Sequence, residues 1–141
     1  MSMFCFQCEQ TAKGTGCTAG GVCGKKADTA NLQDQLTGEL IALAKAANNS
    51  YAAAGKAIAG SVVKAVIDSL FTTITNVNFD DEAIQRQIEI VRTEKVKFPG
   101  NGAFDMARLW GANEDIRSLK SLLLFGMRGM AAYAHHAYVR G

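Results

Sequence analysis

Proline is nearly absent from this sequence, and that absence limits the fold more than any other feature. Pro99 is the only proline in 141 residues. Because proline breaks helices, the sequence predicts long uninterrupted helices rather than a turn-rich β fold. A chain of this length can bury one hydrophobic core. The predicted fold class is therefore all-α, a helical bundle.

The first two helices are predicted from apolar residues at three- and four-residue spacing. The first begins near Asp28 and carries on one face Leu32, Leu36, Leu40 and Leu43. Gln33, Glu39 and Lys45 are expected largely outside that face. A break or kink is expected between about 48 and 56, where Asn, Ser and Gly interrupt the pattern. The second helix follows with the apolar residues Ile58, Val62, Ala65, Val66, Ile67, Leu70 and Ile74.

Two more long helices are predicted, one on each side of the strong breaker at 98–102. The third begins near Asp81, with Asn78 or Asp80 as its cap. Its buried stripe is expected to be Ile84, Ile88 and Val91. The last helix starts after the cap Asn113, runs to about Val139, and has one apolar face: Ile116, Leu119, Leu123, Met127, Met130 and Ala134. Gly126 and Gly129 indicate tight contact between this helix and another.

All four cysteines lie in a glycine-rich loop at the start of the chain. They are Cys5, Cys8, Cys17 and Cys23, spaced C-x2-C-x8-C-x5-C. The sequence thus divides into a cysteine loop, 1–27, and a helical bundle, 28–141, which together form one domain. Structural zinc usually takes two short C-x2-4-C pairs, and the second pair here is spaced too widely. An iron–sulfur cluster tolerates unequal spacings, so iron–sulfur is favoured over zinc, with metal-free thiols as the remaining alternative.

Few other residues suggest chemistry. Phe4 and Phe6 flank the first cysteine pair, where they either shield a cluster or anchor the loop on the bundle. Three lysines lie near the thiols, and either offset cluster charge or are simply solvated: Lys13, Lys25 and Lys26. His135 and His136 point roughly 100° apart on a helix, so one is expected to be partly buried and hydrogen-bonded and the other exposed. No catalytic triad, paired-carboxylate site or phosphate-binding motif is visible.

Composition and charge exclude several partners. The net charge is +2 and the basic residues are scattered, so a nucleic-acid surface is not indicated. No apolar run approaches the roughly 18 residues that span a bilayer, and no signal peptide is recognisable. A cytoplasmic protein with reduced thiols is therefore expected.

The cysteine segment MFCFQCEQTAKGTGCTAGGVCGK resembles the start of the hybrid cluster proteins, also called prismane proteins or hydroxylamine reductases. The segments FTTITNVNFDDE and ANEDIRSLKSLLLFGMRGMAAYAHHA resemble later parts of that family in the same order. The resemblance implies that the four cysteines bind a [4Fe–4S] cluster, because their spacing matches the four-iron rather than the two-iron subgroup. Aerobic preparation can strip such a cluster.

The resemblance also implies what this sequence lacks. In the family, a second, hybrid cluster is catalytic, and its ligands lie in two later domains with no counterpart here. No catalytic residue is therefore assigned, His135 and His136 included. We expect an electron-transfer domain with an unknown redox partner, whose uncovered apolar surface favours a homodimer. The alternatives are a helical interaction or structural module with a zinc-bound or metal-free loop, and a complete small hydroxylamine reductase.

Overall fold

The computed structural model describes residues 3–8, 10–74, 79–100 and 102–141. In these ranges the chain forms helices and no strand. The α-helices are α1 (Ala27–Ala53), α2 (Gly60–Thr72), α3 (Asp81–Lys95), α4 (Ala107–Trp110) and α5 (Glu114–Arg140). A single 3-10 turn, Ala12–Gly14, lies in the loop before α1. The all-α prediction is confirmed. None of the described helices is both long and apolar enough to cross a membrane.

The main core lies where α1, α2 and α3 meet. α1 packs chiefly on α3, α2 packs on α3 and α5, and α4 touches α5. The predicted apolar faces supply this core, with these residues buried: Leu36, Leu40, Leu43, Val62, Leu70, Ile84, Ile88 and Val91. Glu39 of α1 joins it to α3 by accepting hydrogen bonds from Arg92, at 3.0 Å, and from Lys95. Three predicted helix faces are thus confirmed.

The helix ends follow the predicted caps. Asp80 accepts a hydrogen bond from the Ala83 backbone N–H at 3.0 Å, and Asn113 caps α5 through the Asp115 N–H at the same distance. Asn78, the alternative cap of α3, lies outside the described residues. α1 continues to Ala53, so the predicted break occurs at the end of its window, in the segment 54–59.

A second, smaller core lies under the cysteine loop. Its buried members are Met3, Cys5, Cys17 and Ala30, with Ala12 and Ala27 packed against them. Since Ala27 and Ala30 belong to the first turn of α1, this core fixes the loop on the start of that helix. The loop is therefore part of the packed structure.

The apolar face of α5 is not buried by the rest of the described chain. Its apolar residues are largely exposed, Leu119 by 68%, Leu123 by 65% and Met130 by 74%. We call the set Ile116, Leu119, Leu122, Leu123, Met127 and Met130 the α5 stripe. The buried residues of this helix are instead Ser121, Arg128 and Ala131. Helical periodicity shows that a face is apolar, but it does not show that another element covers it.

The predicted tight contact of another helix with the glycines of α5 is wrong. A Cβ atom at Gly126 or Gly129 would meet nothing within 4 Å among the described residues. The exposure of the α5 stripe does confirm the expectation that this chain leaves apolar surface uncovered.

Candidate metal centre

A two-residue antiparallel bridge brings the first and third cysteines together. The N–H of Cys5 donates to the Cys17 carbonyl at 2.9 Å, and the N–H of Cys17 donates to the Cys5 carbonyl at 2.9 Å. Residues directly opposite in such a pair carry their side chains on the same face. The Thr11 hydroxyl also donates to the Cys5 carbonyl, at 2.9 Å. The eight-residue excursion between Cys8 and Cys17 therefore folds back on the chain.

The other two cysteines lie nearer the surface. Cys5 and Cys17 are buried, Cys8 and Cys23 are half-buried, and all four thiols are free. Among the described residues, no group of three or more Cys, His, Asp or Glu side chains is placed to hold a metal ion. The structure thus pairs two of the four predicted ligands, and the other two are less deeply buried.

The two buried thiols have opposite electrostatic surroundings. The Ala12 backbone N–H donates to Cys17 Sγ at 3.3 Å, and together with the Val22 N–H it lowers the pKa of Cys17. Burial raises the pKa of Cys5, while the charge of Lys25, whose Nζ lies 4.0 Å from Cys5 Sγ, opposes this. Hydrogen bonds are the main stabilisers of a thiolate at Cys17, whereas at Cys5 the charge of Lys25 contributes more than the hydrogen bond from the Gln7 backbone.

Two glycines in the loop are required by close packing. Gly16 has a φ of +140°, and a Cβ there would lie 2.4 Å from the Phe4 ring. A Cβ at Gly21 would lie 2.9 Å from Lys25 Cβ and 3.1 Å from Cys23 Sγ. Both clashes are closer than real Cβ atoms tolerate without movement. Thiolate donors, backbone N–H groups aimed at sulfur and glycines beside it suit an iron–sulfur cluster, so the residues fit the group.

A half-buried but strongly desolvated carboxylate connects the loop to the helices. Gln7 Nε2 donates to Asp34 Oδ1 at 2.8 Å, and the Trp110 indole donates to Asp34 Oδ2 at 2.9 Å. Burial raises the pKa of Asp34 to about 6, although both hydrogen bonds lower it. One side chain of α1 thereby holds both the segment between Cys5 and Cys8 and the short helix α4.

Two buried cations lie near the same place. Lys25 is 1% exposed and donates to Gln33 Oε1, while Arg128 of α5 is 5% exposed. Arg128 donates from Nε to the Thr73 hydroxyl at 2.9 Å, and its Nη1 has no partner in the described part of the chain. Burial lowers the pKa of Arg128 to about 10, although the negative charges of Asp34 and Cys5 raise it.

Most of these polar groups cannot be recognised from the sequence alone. Gln33, expected largely outside the apolar face of α1, is fully buried. Asp34 and Arg128 were not singled out at all. The Asp34–Trp110 pair joins residues 76 positions apart, so no local pattern reveals it. A buried polar residue beside an apolar stripe carries no periodic signal.

The flanking aromatic residues anchor the loop. The Phe4 and Trp110 ring centroids lie 5.5 Å apart, and the Arg117 guanidinium lies 5.5 Å from the centroid of Phe6. These contacts support the anchoring interpretation of Phe4 and Phe6. Their role in shielding a cluster stays a prediction.

The histidine prediction is confirmed. His135 is half-buried, its Nδ1 lies 3.0 Å from Asp68 Oδ1, and its ring stacks on Phe71 with centroids 4.1 Å apart. His136 is exposed. The contacts of His135 tie α5 to α2 and give it a structural role.

Comparisons with known proteins point to one family. A model of the Prismane/CO dehydrogenase family matches residues 3–141. A protein from Desulfitobacterium hafniense strain Y51 named hydroxylamine reductase is 44% identical over all of this chain. Proteins of the same name from Methanocella arvoryzae and Bacteroides fragilis are each 41% identical, over 99% and 100% of the chain. The chain spans 30–31% of the length of these relatives.

Proposed function

Because the chain belongs to the Prismane/CO dehydrogenase family, we propose that it is an iron–sulfur electron-transfer domain. Cys5, Cys8, Cys17 and Cys23 are the four thiolate ligands, and the cofactor is a [4Fe–4S] cluster. A bound cluster supplies reversible one-electron chemistry. The pairing of Cys5 with Cys17, with polar hydrogens directed at both sulfurs, is the observation that carries this proposal.

The residues around the ligands have distinct tasks in this proposal. The Ala12 N–H holds Cys17 Sγ, and Lys25 lies against Cys5 Sγ. Gln7 and Asp34 fix the backbone between the first two cysteines. Since Cys8 and Cys23 are half-buried, their side of the loop is where a redox partner would exchange electrons.

Hydroxylamine reduction itself is not assigned to this chain. The relatives are named for that activity, but the chain covers less than a third of their length. All four cysteines of the sequence serve the one cluster in this proposal, so no thiol is left for a second. The proposed role is electron relay to a catalytic site, and the cytoplasm is the proposed compartment because the thiols are free.

Serine variants test the ligand set. Reconstituted with iron and sulfide without oxygen, the wild type should gain broad visible absorbance that dithionite bleaches. Cys17→Ser and Cys23→Ser should each lose at least half of the bound iron, whereas Thr18→Ser, an exposed control in the same loop, should keep it. Full iron and sulfide content in both cysteine variants would contradict the ligand assignment.

The α5 stripe supports a second proposal, a homodimer formed through this helix. Its apolar residues are contiguous along α5, and patches of this kind usually mark an association surface. Leu122→Glu should shift the protein to monomer in sedimentation velocity, while Gln85→Glu on the exposed face of α3 should not. A wild-type monomer at high concentration would refute the homodimer and leave the cluster proposal intact.

A further inference from the structure

The three lysines near the cysteines differ sharply in burial. Lys13 and Lys26 are exposed, whereas Lys25 is 1% exposed and is among the largest fully buried side chains. The Gly21 N–H donates to the Lys25 carbonyl at 2.8 Å, which closes the turn around Cys23. This turn directs the Lys25 side chain under the loop, where its Nζ meets Gln33 and Cys5.

Among the residues that the structure describes, the charge of Lys25 has no direct ion pair. Within the described part of the chain, no carboxylate lies within 4.0 Å of its Nζ. Its contacts are the Gln33 amide oxygen and Cys5 Sγ, the latter at 4.0 Å. Burying an ammonium group is costly unless a negative group faces it. In the described ranges its sulfur contact is to Cys5, a proposed cluster ligand, and the Asp34 carboxylate interacts with it at longer range.

We propose that Lys25 is a positioning residue that holds Cys5 Sγ and raises the reduction potential of the cluster. The inference rests on the proposed function. Reduction places one electron, taken from a mediator, on a cluster that already carries the negative charge of its thiolates, and no bond is formed or broken. A fixed cation next to one of those thiolates stabilises the reduced state more than the oxidised state, and burial protects this effect from screening.

Neighbouring lysines provide a matched comparison. Lys25→Met and Lys26→Met each remove one positive charge, from adjacent positions, but only the first charge is buried. We expect Lys25→Met to reduce the equilibrium constant for cluster reduction at least tenfold, a fall of 59 mV or more for one electron. Lys26→Met should change it less than threefold.

High salt should further distinguish the effect of Lys25→Met on the reduction potential from that of Lys26→Met. The screening length is about 10 Å at 0.1 M salt and about 3 Å at 1 M. The shift caused by Lys25→Met should persist at 1 M NaCl, because both groups are buried and a separation of 4.0 Å between Lys25 Nζ and Cys5 Sγ leaves no room for screening ions. Any shift caused by Lys26→Met should disappear.

The experiment is a spectroelectrochemical titration of anaerobic protein, after iron and sulfide analysis has shown equal loading. Equal potentials in loaded wild type and Lys25→Met would overturn the inference while leaving the cluster proposal standing. A wild type that takes up no sulfide would overturn both. If Lys25→Met does not load, Lys25→Gln, which keeps a polar group toward Gln33, should show the same fall. Lys25→Arg, which keeps the charge, should stay near the wild-type potential.

Discussion

The cysteine loop covers buried polar groups, whereas the outer face of α5 exposes apolar ones. Under the loop, Lys25 and Gln33 are fully buried and Asp34 lies in a strongly desolvated position. On α5, Leu119 and Met130 are 68% and 74% exposed. Buried polar groups require specific partners, and exposed apolar stripes usually have a covering surface. The loop satisfies its groups largely within the chain, whereas no element among the described residues covers the α5 stripe.

The largest difference between the two regions should be in stability. Leu43 of the main core is fully buried, so Leu43→Ala should lower the free energy of unfolding by about 2–5 kcal/mol. Leu119→Ala, the same change on the α5 stripe, should alter it by no more than about 0.5 kcal/mol in the monomer. Urea unfolding monitored by circular dichroism measures both. Equal losses would show that the stripe is covered within the monomer.

The desolvated carboxylate of Asp34 should give the stability of the protein an unusual pH dependence. The pKa of Asp34 is raised from 3.8 to about 6, so the folded state binds a proton that the unfolded state has released. The free energy of unfolding contributed by this group is therefore greatest below about pH 4 and falls as the pH rises through 4–6. A shift of about two units corresponds to about 3 kcal/mol.

Asp34→Asn isolates that contribution, because the other carboxylates remain. Between pH 4 and pH 7 the free energy of unfolding of the wild type should fall by a few kcal/mol relative to that of Asp34→Asn. The fluorescence of Trp110, the only tryptophan, should titrate near pH 6 in cluster-free wild type, since its indole donates to Asp34. A stability difference that is independent of pH would refute the raised pKa.

A smaller effect is expected from two adjacent glycines in the loop. Gly21→Ala forces a Cβ within 2.9 Å of Lys25 and 3.1 Å of Cys23 Sγ, so it should cost about 1–3 kcal/mol and weaken iron retention. Gly20→Ala meets nothing within 4 Å and should change stability by no more than about 0.5 kcal/mol. Indistinguishable melting curves and iron content for the two variants would show that the loop is not closely packed around Cys23.

The sequence predicted the parts of the fold that depend on local order. The apolar faces containing Leu36, Ile84 and Val91 and the caps Asp80 and Asn113 are confirmed, because periodicity and capping act within a few residues. The predicted tight contact at Gly126 and Gly129 of α5 was wrong, since coverage depends on neighbours that periodicity does not describe.

The candidate site shows the same division. The four cysteines stand out by spacing and composition, and their role as ligands stays a prediction. Their polar surroundings do not stand out, because Asp34 meets Trp110 and Arg128 meets Thr37 only through the tertiary fold. Of the three lysines that the sequence treated alike, burial alone distinguishes Lys25.

Metal and sulfide analysis of protein purified from cells without oxygen tests the central claim most directly. The proposed [4Fe–4S] cluster predicts about four iron atoms and four acid-labile sulfides per chain, with visible absorbance that dithionite bleaches. A colourless protein holding one zinc, with no sulfide even after reconstitution, would contradict the account and favour a structural module.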